Sequence, residues 1–395
     1  MINTTTKIIW SSSSFLFRLL SNVFIYIIIA RYYGPEKFGE FSIYILVGSM
    51  ASLVTDFGTH QRFFQSLSVN ESQDKINILY SIKIFFILIC VFFILLLSIF
   101  KGDICYLLVS LSFIFNLVFD WFLIYFRALS KFKKEAKYAF LNNIIFFVFI
   151  IILLNISNNM VYLSLVMMIS KLLPLIILYL INKKCFTYKI RVVKLNEITS
   201  HIFYGLDFIY VNIWTFLDSI IVKFFFNISF FGIYTSYARL SNGIGSLSGI
   251  ITNVIFSRIA KEAVFKGKKN LIIYTLLFIG LSIITIIALL FLSDYIIDFL
   301  LGDKYSSYSY LLLYLIIPVS IKWISSPLGI YIFSLGYVKA RVFIQTLSLI
   351  IFLITFFILN SYSSSLIWVP ISMSMSYFVI FVLYLIIVIR ELNEN

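Results

Sequence analysis

Ile78-Leu79-Tyr80-Ser81-Ile82-Lys83-Ile84-Phe85-Phe86-Ile87-Leu88-Ile89-Cys90-Val91-Phe92-Phe93-Ile94-Leu95-Leu96-Leu97-Ser98-Ile99-Phe100 places a single charge, Lys83, in 23 residues. A membrane-spanning helix needs about 20 predominantly apolar residues, and this run leaves no face for water. Comparable runs fall at 8–31, 41–58, 104–126, 138–156, 160–182, 202–222, 230–256, 271–292, 310–333, 342–360 and 365–389. The pattern predicts twelve transmembrane helices joined by short connectors. The 202–222 run is the one interrupted, by Asp207 and Asp218. Apart from that interruption the runs are predominantly apolar without alternation, and all are longer than the roughly 9–11 alternating residues of a barrel strand. The expected fold class is therefore an all-α integral membrane protein.

Composition excludes the soluble classes. Of 395 residues, 62% are hydrophobic and 12% charged, where soluble domains carry about 25% charge. Nucleic-acid binding, a secreted scaffold and a cytosolic enzyme are poor readings despite a net charge of +14. That charge instead sets topology. Connectors on the side of the N-terminus hold 21 Lys and Arg, those on the opposite side hold 4, and six lie within spans. The asymmetry puts both termini in the cytoplasm, with contact to anionic lipid headgroups as a secondary role for the basic connectors. Lys7 precedes the first run without a small-residue cleavage site, which reads as a retained span. Cys90, Cys105 and Cys185 show no C-x-x-C spacing, and His60 and His201 end apolar runs without a partner motif. The sequence therefore calls for no disulfide, metal or cofactor.

Two short matches point to duplication. Lys37-Phe38-Gly39-Glu40-Phe41-Ser42-Ile43-Tyr44 resembles Phe230-Phe231-Gly232-Ile233-Tyr234-Thr235-Ser236-Tyr237, and Ser130-Lys131-Phe132-Lys133 resembles Gly336-Tyr337-Val338-Lys339. They divide the chain into an N-terminal six-helix lobe (1–182), a basic cytoplasmic linker (183–201) and a C-terminal six-helix lobe (202–395). Six spans per half give both halves the same polarity, a parallel repeat of the kind transporters use around a central cavity.

Ala30-Arg31-Tyr32-Tyr33-Gly34-Pro35-Glu36-Lys37-Phe38-Gly39 resembles the R-x-x-G-P-E-x-[FY]-G connector of Wzx-type O-antigen flippases. These are lipid-linked polysaccharide-repeat flippases of the multidrug/oligosaccharidyl-lipid/polysaccharide exporter superfamily. Asp56-Phe57-Gly58, Asp120-Trp121-Phe122, Phe231-Gly232-Ile233-Tyr234 and Leu301-Gly302-Asp303-Lys304-Tyr305 echo the same family in order. The family's proline near the end of the eighth helix is replaced here by Phe256-Ser257-Arg258. The resemblance implies a flippase moving undecaprenyl-pyrophosphate-linked oligosaccharide between leaflets of the bacterial inner membrane. Its implied partners are that lipid-linked substrate, membrane lipids and other polysaccharide-assembly membrane proteins.

An ionisable side chain inside a span is costly and defaults to a functional reading. Lys83 and Lys223 lie near enough to span ends to snorkel. Arg18 shares a polar stripe of the first span with Ser11, Ser14, Ser21 and Asn22, at steps of three and four. The seventh span carries Asp207, Tyr210, Trp214 and Asp218 at similar steps, and the eighth carries Arg239, Asn242, Ser246 and Asn253, with Gly243, Gly245 and Gly249. Lys171 lies before Pro174 in the sixth, and Lys322 and Ser326 precede Pro327 in the tenth. A cavity lined by the first, second, seventh and eighth spans would collect Arg18 and Arg239. Guanidinium groups there suit a pyrophosphate, to which they donate in pairs, and Tyr and Trp suit sugar rings. The plainer reading pairs these cations with Asp207 or Asp218 to lock helices together. Asp218, Asp207, Asp56 and Asp120 are the carboxylates available for ion coupling.

Two rivals remain. A drug or cation antiporter of the same superfamily shares the fold and leans on such carboxylates. A membrane polysaccharide polymerase or acyltransferase needs a catalytic constellation at one face, and the longest outward connector, about 293–309, offers Asp294, Asp298 and Asp303 but no His or Cys.

Overall fold

A computed structural model describes residues 4–68, 72–214, 216–264 and 267–393. Among them no strand occurs. The first unit comprises residues 1–25 and 40–216, the second residues 26–39 and 217–395. Helix α1 (Thr4–Asp56) contributes to both, and α2 (Thr59–Ser68), α3 (Gln73–Lys101), α4 (Cys105–Ala128), α5 (Phe132–Ile156), α6 (Met160–Ile181) and α7 (Leu195–Ile213) complete the first. The second holds α8 (Leu217–Phe225), α9 (Ile228–Val264), α10 (Lys269–Leu300), α11 (Asp303–Ser306), α12 (Tyr310–Ser334), α13 (Val338–Tyr362) and α14 (Trp368–Asn393).

Nine helices among the described residues are long and apolar enough to cross a membrane. One of them, α1, covers both the 8–31 and the 41–58 runs. It breaks at Gly34, which adopts φ 76° and ψ 175°. Pro35 lacks an N–H and pushes the preceding residue to extended ψ, and only glycine reaches that positive φ without strain. The other expected spans, 202–222 and 230–256, are helical in α7, α8 and α9. The 202–222 run is not one rod, because α7 ends before Trp214 and α8 begins at Leu217. Asp218 accepts the Ser219 N–H in the first turn of α8 at 2.6 Å, which serves an N–H that a fresh helix start leaves open.

Each unit builds its core around a central helix. In the first, α4 packs on α2, α3, α5 and α6. Phe63, Phe119, Trp121, Phe122, Phe126 and Phe186 fill the space between them. In the second, α12 packs on α9, α10, α13 and α14. These central helices are the fourth and tenth expected spans, the equivalent pair of a six-helix repeat. Outward faces stay apolar: Phe100 is 85% exposed and Phe291 74%, which suits hydrocarbon and not water. Between α3 and α4, burial pushes the Asp103 carboxyl upward. The Tyr44 hydroxyl (2.5 Å) and the Cys105 N–H (2.9 Å) outweigh that and hold it below the usual range.

The segment 183–194 turns back over the first unit. Lys189 N–H donates to Asn77 and Arg191 N–H to Ser81. Phe186 is buried among the rings of Phe122, Tyr125 and Phe126.

Candidate functional site

The charges inside the spans sort into two clusters in the first unit and a more open set in the second. Arg18 Nη1 donates to Asp120 Oδ1 at 2.8 Å, and its Nη2 lies 3.5 Å from Glu135 Oε1. Arg127 donates to the same Glu135 oxygen from Nε at 3.0 Å and Nη2 at 2.5 Å. Asn116 donates to Asp120 Oδ2, and Asn142 to Asn116, joining α4 to α5. Lys171 of α6 is buried, with Nζ 4.1 Å from the centre of the Phe146 ring and within electrostatic reach of Asp120 and Arg18. Three cations thus face two carboxylates. Arg18 Nε, Glu135 Oε2 and Asn142 Oδ1 are buried without a hydrogen-bond partner among the described residues.

The second cluster joins Asp56, Thr59, His60 and Lys83 beside Trp121. Here the expectation for Lys83 fails. It does not snorkel; it is 2% exposed, 3.6 Å from Asp56 and 4.7 Å from the centre of the Trp121 indole. The end of α1 curls back through Phe57 and Gly58, which puts Asp56 inside the unit between Thr59 and His60 of α2 and Lys83 of α3. His60 likewise has a partner, the Asp56 carboxylate four residues before it.

In the second unit Arg239 of α9 lies over Tyr26, its guanidinium carbon 3.7 Å from the ring centre. Its Nε is buried and unpartnered among the described residues. Asp218 does not pair with it; its carboxylate accepts from Tyr234 Oη at 3.1 Å and from the Ser219 N–H. Lys322 is exposed, with Nζ 6.0 Å from the Tyr377 ring centre. Trp214 is buried at the α7–α8 break, and Asn22 is exposed. The side chains of Ser11, Asp207, Tyr210, Gly249 and Asn253 lie outside the described residues.

Tyr26 and its neighbours are held where they are by the second unit. Tyr305 Oη donates to the Ala30 carbonyl at 3.0 Å, Arg31 Nη1 to the Phe299 carbonyl at 2.6 Å, and Tyr237 Oη to the Tyr305 carbonyl at 2.7 Å. A Cβ on Gly232 would strike the Pro35 carbonyl oxygen, and one on Gly39 the Ile228 carbonyl oxygen. Residues 35–39 and 228–232, both of the second unit, are pressed together backbone to backbone.

Glu135 escapes the sequence reading, which sets Lys83 aside as snorkelling and His60 as lacking a partner. Glu135 reads as part of a basic connector and looks solvated; its only signal is the eight-residue spacing from Arg127 across the α4–α5 turn. For His60 the signal is the four-residue spacing from Asp56.

The model of the family described as polysaccharide biosynthesis protein matches residues 5–262. Among curated proteins none matches the sequence. The fold is similar to that of the lipid II flippase MurJ in an inward closed conformation, with TM-score 0.79 and 16% identity over 98% of this chain and 89% of that one. It is also similar to an inward-facing multidrug resistance MATE family transporter of the MOP superfamily (0.66, 12% identity, 97% and 96% covered). A MOP superfamily transporter from Pyrococcus furiosus, described as having a binding pocket of reverse polarity, gives 0.66 at 10% identity over 98% and 96%. At these identities the likeness is one of fold.

Proposed function

The chain belongs to the polysaccharide biosynthesis protein family, and from that footing we propose that it is a flippase for lipid-linked oligosaccharide. The substrate class is an undecaprenyl-pyrophosphate-linked repeat unit of the O-antigen type. It moves from the cytoplasmic to the periplasmic leaflet by alternating exposure of one site, with both termini of the protein in the cytoplasm. Translocation makes and breaks no covalent bond, so we read a transporter and not an enzyme. The observation that carries the proposal is Arg239. A half-buried guanidinium over an aromatic ring, with its Nε buried and unpartnered among the described residues, keeps a donor available for an anion, and away from bulk water that attraction is strong.

The test is complementation. With membrane levels matched, R239Q is expected to abolish surface polysaccharide in a strain lacking the native gene, and R239K to restore it poorly, because an ammonium cannot present the paired donors. Unchanged polysaccharide in R239Q rejects the proposal.

A second reading, the drug or cation antiporter, has one observation in its favour. Asp56 and Asp120 are paired with cations, whereas Asp218 is buried and served by neutral donors. Asp218 is therefore the carboxylate we assign to ion coupling under either reading. Proteoliposomes offered a lipid-linked oligosaccharide and a cationic dye in competition separate the two.

A further inference from the structure

The chain contains two histidines, and both converge on one turn. His201 Nε2 lies 3.0 Å from the Phe57 carbonyl oxygen. His60 follows that turn and contacts Asp56, which precedes it. Phe57 and Gly58 both have positive φ, 40° and 73°. A phenylalanine in that region is strained, so the surrounding contacts hold the turn.

The contacts of His60 Nδ1 conflict. It touches Asp56 Oδ1 and lies 3.3 Å from Lys83 Nζ. The carboxylate requires a donor at that nitrogen, the ammonium an acceptor. A proton on Nδ1 serves Asp56 and leaves Lys83 to Thr59 Oγ1 at 3.4 Å and to Asp56 at 3.6 Å. A bare Nδ1 serves Lys83 but sets two acceptors against each other. Asp56 and Lys83 are 3% and 2% exposed, so water cannot relieve either arrangement.

We infer that His60, Asp56 and Lys83 form a proton-binding site that sets the geometry of the α1–α2 turn. With Nδ1–H on Asp56, a proton from solvent adds to Nε2 of the half-buried imidazole, and the buffer acid that gives it up keeps the electron pair. The imidazolium then takes Asp56, and Lys83 faces a second cation in a place where a net buried charge is costly. Lys83 swings away and α3 loosens from the turn. The charged groups facing the site are Asp56 on α1, Lys83 on α3 and Asp120 on α4, which acts on Lys83. Arg62 on α2 and His201 on α7 flank the turn. Proton binding stands on this unit alone; its use in gating transport rests on the flippase reading.

Trp121 reports the event, because the Lys83 ammonium and the His60 ring (5.7 Å, edge-on) both lie against its indole. Tryptophan emission of the purified full chain in nanodiscs is titrated between about pH 5 and 8, where histidine changes charge. We expect one sigmoidal transition in the native chain, absent in W121F and in H60Q. K83M removes a like charge and moves the midpoint to higher pH; D56N moves it lower. A flat titration, a transition surviving in H60Q, or a midpoint indifferent to both K83M and D56N overturns the site. H60Q changes a half-buried polar side chain, so the comparison does not depend on the buried variants folding. In proteoliposomes, H60Q is expected to lose the pH dependence of oligosaccharide flipping, and retention of that dependence overturns the gating role. An intact emission transition without any flipping overturns the functional reading and supports the site.

Discussion

Glu135 is where two guanidinium groups meet, Arg127 at 2.5 Å and Arg18 at 3.5 Å, with the carboxylate 4% exposed. Removing its charge leaves Arg18, Arg127 and Lys171 facing Asp120 alone. Arg127 is 43% exposed, so the loss falls between the values for an open ion pair and a buried one. We expect E135Q to cost about 1–3 kcal/mol, read as a lowered melting temperature in detergent. D74N breaks the pair between Arg191 and the Asp74 carboxylate, which is 81% exposed, and is expected to leave the melting temperature unmoved. Equal effects of the two substitutions contradict the assignment. The same residues show what a sequence can say about a site. Arg18 and Arg239 read alike, each a guanidinium on a polar stripe, and the stripes were legible. Which one is neutralised was not, because Glu135 reads as part of a basic connector, whereas the structure places it in the first turn of α5, next to Arg18.

At the scale of elements, apolar runs located the helices well, since hydrocarbon demands the same pattern of every span. Breaks were harder to see. Gly34-Pro35 interrupts α1 with helix on either side of the break, and the break between α7 and α8 falls inside an apolar run because Asp218 starts a new helix. Close approach is also invisible to composition, as two glycines show. Gly232 lies against the Pro35 carbonyl and the Gly39 nitrogen, both backbone, whereas Gly280 in α10 has nothing within 4 Å of its Cβ position. We expect G232A to lower expression and thermal stability, because the α9 backbone must retreat from the segment that carries Tyr26. G280A is expected to be neutral or to stabilise by about 0.5–1 kcal/mol through helix propensity. A harmless G232A in a melting assay removes the argument that this crossing is close by necessity.

Across the whole molecule, 21 basic residues on one set of connectors against 4 on the other is an arrangement that packing does not require. Arg191 makes one exposed ion pair, Lys189 and Arg191 are held through backbone N–H groups, and the basic side chains from Lys183 to Lys194 are exposed. Their charge is therefore free to act on orientation, which lysine and arginine in short loops determine. The even number of spans in each repeat then fixes every connector once one is placed. Alkaline phosphatase fused after Gly102 or Ser307 is expected to be active, having crossed the membrane. The same reporter after Lys189 or Lys268 is expected to be silent, and a cytoplasmic reporter at those sites to be bright. Activity after Lys189 contradicts the cytoplasmic linker. Activity on the same side after Gly102 and Lys189 is the sharper failure, because it breaks the odd count of spans between them and with it the six-helix repeat.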